Sequence, residues 1–245
     1  MSVAITFSTS GRIVRQLRHD RRTVALLMVV PAILLTLLYY MYEDAPQIFD
    51  RVALIMLGIF PFVIMFLVTS IAMLRERTSG TLERLLTTPL GKIDLLFGYG
   101  LAFSGAAAVQ GAVATGVAYW LLGLDTLGSP ALVVLIAIVN AVLGVALGLL
   151  CSAFARTEFQ AVQFLPVVVV PQILLCGLFV PREAMAGWLQ AIADVLPLTY
   201  AVDALMEVGT SADATATMWR DLIIVAGAAV LALVLAAATL RRRTP

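Results

Sequence analysis

The sequence predicts an all-α integral membrane protein with six transmembrane helices. Three observations carry that expectation. Hydrophobic residues make up 62% of the 245 positions and charged ones 13%, against roughly 25% charged in soluble domains. Six apolar runs, at 23–42, 52–74, 95–122, 131–154, 159–180 and 222–240, are long enough for a helix to cross a hydrocarbon layer about 30 Å thick. All 16 basic and 15 acidic side chains fall outside those runs. A membrane β-barrel would instead alternate apolar and polar residues over about ten positions, whereas 24–38 is apolar on all sides.

The chain divides accordingly. Residues 1–22 form an N-terminal segment, 23–240 the six-helix domain and 241–245 a tail. Within the domain, 75–94 and 181–221 are the two long connections. The first apolar run is too long for a cleaved signal peptide, and no small-residue cleavage site follows it.

Charge sets the orientation. Thirteen basic residues lie at one end: Arg12, Arg15, Arg18, Arg21, Arg22, Arg75, Arg77, Arg84, Lys92, Arg156 and Arg241 to Arg243. Only Arg51, Arg182 and Arg220 lie at the other, which holds ten of the fifteen acids. By the positive-inside rule both termini face the cytoplasm. These arginines flank spans instead of forming one patch, so nucleic acid is not an expected partner.

Before the first run, Ile13, Val14 and Leu17 recur at helical spacing among arginines. The reading is an amphipathic helix on the anionic leaflet, with a solvated basic tail as the alternative. The fourth run carries Ala137, Ala141, Gly144 and Gly148 along one side, and small residues let helix backbones approach closely. Packing within the subunit is the expectation for that stripe. Between 181 and 221, Met185, Trp188, Leu189, Ile192 and Leu196 make a helical stripe bracketed by Pro181 and Pro197. Too short to span, it suggests an interfacial or re-entrant helix.

Several chemistries are missing. The six runs hold no Asp, Glu, Lys, Arg or His, which disfavours a proton- or ion-coupled carrier. The only His, His19, sits in the N-terminal segment, so no metal site and no catalytic residues are expected. Cys151 and Cys176 lie within apolar runs and read as packed thiols. No GxxxxGK[ST] loop occurs: Gly91-Lys92 is followed by Ile93. Energy for vectorial work must come from another polypeptide, and no cofactor is expected in this chain.

The connection 75–94 is distinctive. Its core reads Arg75-Glu76-Arg77-Thr78-Ser79-Gly80-Thr81-Leu82-Glu83-Arg84-Leu85-Leu86-Thr87-Thr88-Pro89. Ser79 suits a helix N-cap, Glu83 the early turns, and Pro89 the end. Leu82, Leu85 and Leu86 share a face. Such a helix rests on the membrane and offers polar Thr81, Glu83, Arg84, Thr87 and Thr88 to a partner; a merely solvated loop helix is the alternative.

Glu76-Arg77, Gly80-Thr81-Leu82-Glu83 and Leu86-Thr87-Thr88-Pro89 together resemble the signature of type-2 ABC exporter permeases, in the drug-resistance (daunorubicin permease-like) branch. Pro197-Leu198-Thr199-Tyr200 with Ala204-Leu205 resembles the second motif of that family, and Gly177-Leu178-Phe179-Val180-Pro181 its approach. The likeness covers nearly the whole chain. It implies a type V ABC exporter-like fold: six spans, an N-terminal connecting helix, a cytoplasmic coupling helix, and re-entrant helices before the last span. Also implied are a second permease subunit and two ATPase subunits, which would hold ATP and Mg. Ser79 to Thr88 then maps to the coupling helix, with Ser79 and Gly80 at its start and Glu76 and Arg77 at its entry. Glu158 is a candidate relay.

The expected function is the membrane subunit of an exporter in the bacterial plasma membrane, moving a hydrophobic or amphiphilic drug or lipid. A central path at the subunit interface would be lined by the second and fifth spans. Its candidate residues are Phe60, Phe62, Phe66, Thr69, Gln163, Phe164 and Gln172, with lipid-facing or core packing as the alternative for the aromatics. Rival readings are a same-fold permease for a polysaccharide or lipid-linked glycan, and an ATP-independent channel or secondary carrier.

Overall fold

The computed structural model describes residues 3–78 and 92–239, and every regular element in it is helical. Among the described residues, six helices are long and apolar enough to cross a membrane.

α1 (Val3–His19) runs into α2 (Arg21–Met41) through a one-residue break at Asp20. Asp20 makes the break: one carboxylate oxygen accepts from Thr23 N at 3.1 Å and the other from Thr23 Oγ1 at 2.6 Å, capping α2. These bonds hold its carboxyl below the usual range, the side-chain bond contributing most. The buried face of α1 is Thr6, Thr9, Ser10 and Ile13, whereas Val14 is exposed. Small hydroxyl residues win the inward side because α1 sits in a notch: a Cβ at Gly98 would strike the Thr9 side chain. α1 therefore packs on the third span.

α3 (Pro46–Thr78) is 33 residues, roughly 50 Å at 1.5 Å per residue. That exceeds the hydrocarbon layer by several turns. The helix begins at Pro46, ahead of the apolar run at 52–74, because proline is pre-shaped for a first helical turn. Its other end carries Arg75, Glu76 and Arg77 past the apolar stretch.

α4 (Lys92–Gly116) continues through a π-helical turn at Val117–Leu121. α5 (Pro130–Ser152) starts at the Ser129 cap, which accepts from Ala131 N. The core is the seam between α3 and α5. Asn140 Nδ2 donates to Gly58 O at 2.9 Å. A Cβ at Gly144 would collide with the Phe62 carbonyl, and one at Gly148 with the Phe66 carbonyl. Residues 58, 62 and 66 thus meet 140, 144 and 148, two parallel rows at four-residue spacing. The stripe of small residues works within the chain.

The fifth span is different. α6 (Glu158–Phe164), a π-helical turn at Leu165–Val169, and α7 (Val170–Leu175) follow one another. Pro166 and Pro171 remove backbone donors, and the ladder widens where they fall. The span stops at Leu175, not at 180, because Gly177 takes φ +93°, a conformation glycine adopts freely and one that ends helices.

A 3₁₀ turn at Arg182–Ala184, α8 (Gly187–Ala193) and α9 (Pro197–Thr210) lead to the last span, α10 (Ala216–Thr239). α9 buries Leu198, Ala201, Val202, Leu205 and Val208 along one side, packed on α10, α3 and α5. α8 keeps Trp188 and Ile192 exposed one turn apart, as an interfacial helix would.

Candidate functional site

Where α3 leaves its apolar stretch, three consecutive charged residues grip three different elements. Successive helical residues point about 100° apart, so a triplet fans over about 200° and can reach different neighbours. Arg75 makes a two-pronged contact with Glu158 at the start of α6: Nε to Oε1 at 2.7 Å and Nη2 to Oε2 at 3.1 Å. Glu76 accepts from Arg12 of α1 at 3.3 Å. Arg77 Nη1 donates to the Ser152 carbonyl at the end of α5.

These ties differ in weight. The Arg75–Glu158 side chains are 65% and 52% exposed, and pairs of that kind contribute roughly 0–1 kcal/mol. Glu76 is only 8% exposed. Arg12 also donates to the Tyr99 hydroxyl at 3.4 Å, so a guanidinium, a carboxylate and a phenol meet between α1, α3 and α4. Losing the cation from such a site costs roughly 1–3 kcal/mol. Beside it opens a cleft of about 620 Å³ lined by Ile13, Leu17, Asp20, Val68 and Phe103 among others.

The predicted docking residues Ser79, Gly80, Thr81, Leu82, Glu83, Arg84, Thr87 and Thr88 lie outside the described residues. The structure describes the anchor that precedes them, and that anchor contains Glu76 and Arg77 and reaches Glu158. Arg12, Tyr99 and the Ser152 carbonyl were not foreseen. Arg12 looked like one of several flanking arginines, and no local pattern marks its partner 64 residues away.

The seven path candidates do not share one surface. Phe62, Phe66 and Thr69 are fully buried inside the chain, the backbones of the two phenylalanines lying under Gly144 and Gly148. Gln172 is buried too; its Nε2 donates to Val168 O at 2.9 Å and its Oε1 accepts from Leu198 N at 3.4 Å. Phe60 is half-buried in the core layer toward the acidic end. Gln163 and Phe164 do lie together, in an open groove of about 410 Å³ with Phe154, Arg156, Gln160 and Val167. Among the described residues, no group of three His, Cys, Asp or Glu is placed to hold a metal ion.

The chain is thus a multi-pass helical membrane protein in which three long-range polar ties gather at the end of α3. Residues 5–208 match the ABC-2 type transporter family, and the chain belongs to it. Relatives include a probable multidrug ABC transporter permease of Escherichia coli K12 (YbhR), 29% identical over 156 residues, which are 64% of this chain and 42% of the relative. The linearmycin resistance permease protein LnrN of Bacillus subtilis is 28% identical over 135 residues, 55% of this chain and 35% of its own. ABC transporter G family member 20 of Dictyostelium discoideum is 28% identical over 141 residues, 58% and 19% respectively. The matched region spans less than half the length of each of these relatives.

Proposed function

We propose that the chain is the membrane-spanning subunit of an ABC exporter, driven by a separate ATPase present in two copies and paired with a second permease subunit. It carries no catalytic residues of its own; ATP and Mg belong to the ATPase. The protein sits in the bacterial plasma membrane with both termini cytoplasmic, and the arginine-rich end faces the ATPase.

The observation that carries this reading is the gripping triplet at the end of α3. The proposed docking residues 79–88 follow it directly in the chain. A displacement delivered there reaches α1 through Glu76, α5 through Arg77 and α6 through Arg75 at once. Coupling requires such differential contacts between two states.

The cargo is a hydrophobic or amphiphilic molecule, a drug or a lipid. Support comes from the groove on the fifth span, where amides of Gln160 and Gln163 sit beside Phe154 and Phe164. Exposed amides on a membrane helix seek polar partners, and aromatics beside them suit a bulky amphiphile. The relatives named for multidrug and linearmycin resistance point the same way.

The test is co-reconstitution with a candidate ABC ATPase subunit. Export requires both proteins, and Glu76→Gln lowers transport per ATP hydrolysed while leaving the two proteins associated. Uphill transport by this chain alone, or wild-type coupling in Glu76→Gln, contradicts the proposal.

A further inference from the structure

The stretch between the fifth span and α9 is held by polar ties instead of by core burial. From 181 to 194 only Ala193 is buried. Gln190 organises the stretch from inside: its Nε2 lies 3.0 Å from both the Arg182 and Met185 carbonyls and 3.4 Å from that of Glu183. Two links then fasten it to α9, which is itself firmly packed. Arg182 Nη1 sits 3.0 Å from Asp203 Oδ2 on α9, and within the stretch it lies 3.6 Å from Asp194 Oδ1. Tyr200 donates its hydroxyl proton to the Asp194 carbonyl at 2.6 Å.

At the other end of the stretch lies Gly177, with φ +93° and nothing within 4 Å of where a Cβ would stand. A left-handed glycine in open space between a broken span and a loosely held helix is the geometry of a hinge.

We propose that residues 178–196 form a flap at the outer end of the fifth span, hinged at Gly177 and latched by Arg182 on Asp203, and that acidification of that face unlatches it. The flap's place at an exit rests on the export reading; the latch itself does not.

The electrostatics favour proton control. Asp203 is pushed up to about 6, first by burial, with Arg182 working against the rise. The other groups facing it are Glu183 beside Arg182, Asp221 and Arg220 on α10, and the Cys176 thiol at the end of the fifth span. Arg220 is occupied by Asp221, its Nε and Nη2 at 2.9 and 2.8 Å from one carboxylate oxygen. Asp203 thus depends on Arg182 for its closest counter-charge. Opening takes Arg182 away while α9 stays packed around Asp203, so the open flap holds this proton more tightly than the latched one. Acid therefore favours opening, unlike global unfolding. Above pH 7 the carboxylate is ionised and pinned; near pH 5.5 it is mostly protonated and the ion pair is lost. The Arg182–Asp194 contact lies within the flap, so the tie to α9 that remains is the single hydrogen bond from the Tyr200 hydroxyl to the Asp194 carbonyl, worth about 1 kcal/mol.

Hydrogen exchange on the full chain in lipid nanodiscs tests this, at pH 7.5 and 5.5 with intrinsic rates corrected. In the wild type, α8 amides exchange on the order of tenfold faster at the lower pH, as local opening without global unfolding predicts, while α5 amides do not change. Asp203→Asn exchanges fast at both values, and Asp203→Glu keeps the pH step. Equal α8 protection at the two pH values in the wild type overturns the proposal, as does a retained step in Asp203→Asn or a parallel loosening of α5. If the ATPase fails to associate while the α8 step persists, the export reading falls and the latch stands; the converse pattern removes the latch alone.

Discussion

The seam between α3 and α5 and the broken fifth span are both apolar and both cross the bilayer, yet they are built on opposite principles. In the seam, Gly144 and Gly148 bring backbone onto backbone and Asn140 bonds to the Gly58 carbonyl. In the fifth span, two prolines and a π-helical turn interrupt the ladder, and most side chains lie on the outside. Lipid supplies no hydrophobic force between helices, so close small-residue contact determines which spans move together. The lesson is one of packing: α3 and α5 are tied backbone to backbone, while the fifth span is interrupted and only lightly buried. The charged triplet at the end of α3 joins the two.

The largest effect should come from filling the seam. Gly144→Leu has no room against the Phe62 carbonyl and should cost roughly 3 kcal/mol, the upper part of the usual range for overpacking. Loss of folded, detergent-stable protein would show it. Val167→Leu, on the exposed side of the fifth span, should leave yield unchanged; equal damage from both would erase the contrast.

Next comes the joint. Arg12→Ala leaves buried Glu76 without the guanidinium that now lies 3.3 Å away, at a cost of roughly 1–3 kcal/mol. Thermal unfolding in detergent measures this, and Tyr99→Phe should cost less.

The acidic end predicts an unusual pH slope. The folded chain raises Asp203 from 3.8 to about 6, so it holds that proton more tightly than the unfolded chain does. Stability from this group is therefore greatest at low pH and declines as pH rises from about 4 to about 6. The difference in melting temperature between wild type and Asp203→Asn isolates the slope. A flat difference across that window would remove it.

Arg75→Ala should matter least for stability. Its pair with Glu158 is open to water, and about 0–1 kcal/mol is expected, shrinking further with added salt.

Much of the scaffold was legible because membrane crossing leaves a long one-dimensional record. The six apolar runs and the spacing of Gly144 and Gly148 are local signals, and the helices follow them. Other features were not local. Gly177 lies inside an apolar run, and hydropathy carries no information about its φ. Ile13, Val14 and Leu17 were expected to lay α1 on the leaflet, but Ile13 is buried in the chain beside Thr6, Thr9 and Ser10, and the notch at Gly98 receives Thr9. The partners of Arg75, Glu76 and Arg77 lie 83, 64 and 75 residues away. The Arg-Glu-Arg run at a helix end was visible as a signal, but its targets emerge only once α1, α5 and α6 are assembled around it. The path residues show the same limit. Phe62 and Phe66 have the right chemistry for a path, and only the register of α3 on α5 shows that they are enclosed.

The most direct test of the joint is transport per ATP hydrolysed, measured in vesicles holding this chain and the ATPase proposed to drive it, with wild type and Glu76→Gln at matched assembly. The account predicts that hydrolysis continues in the variant while export falls by on the order of tenfold, about 1.4 kcal/mol of coupling. Export per ATP equal to that of the wild type would contradict it.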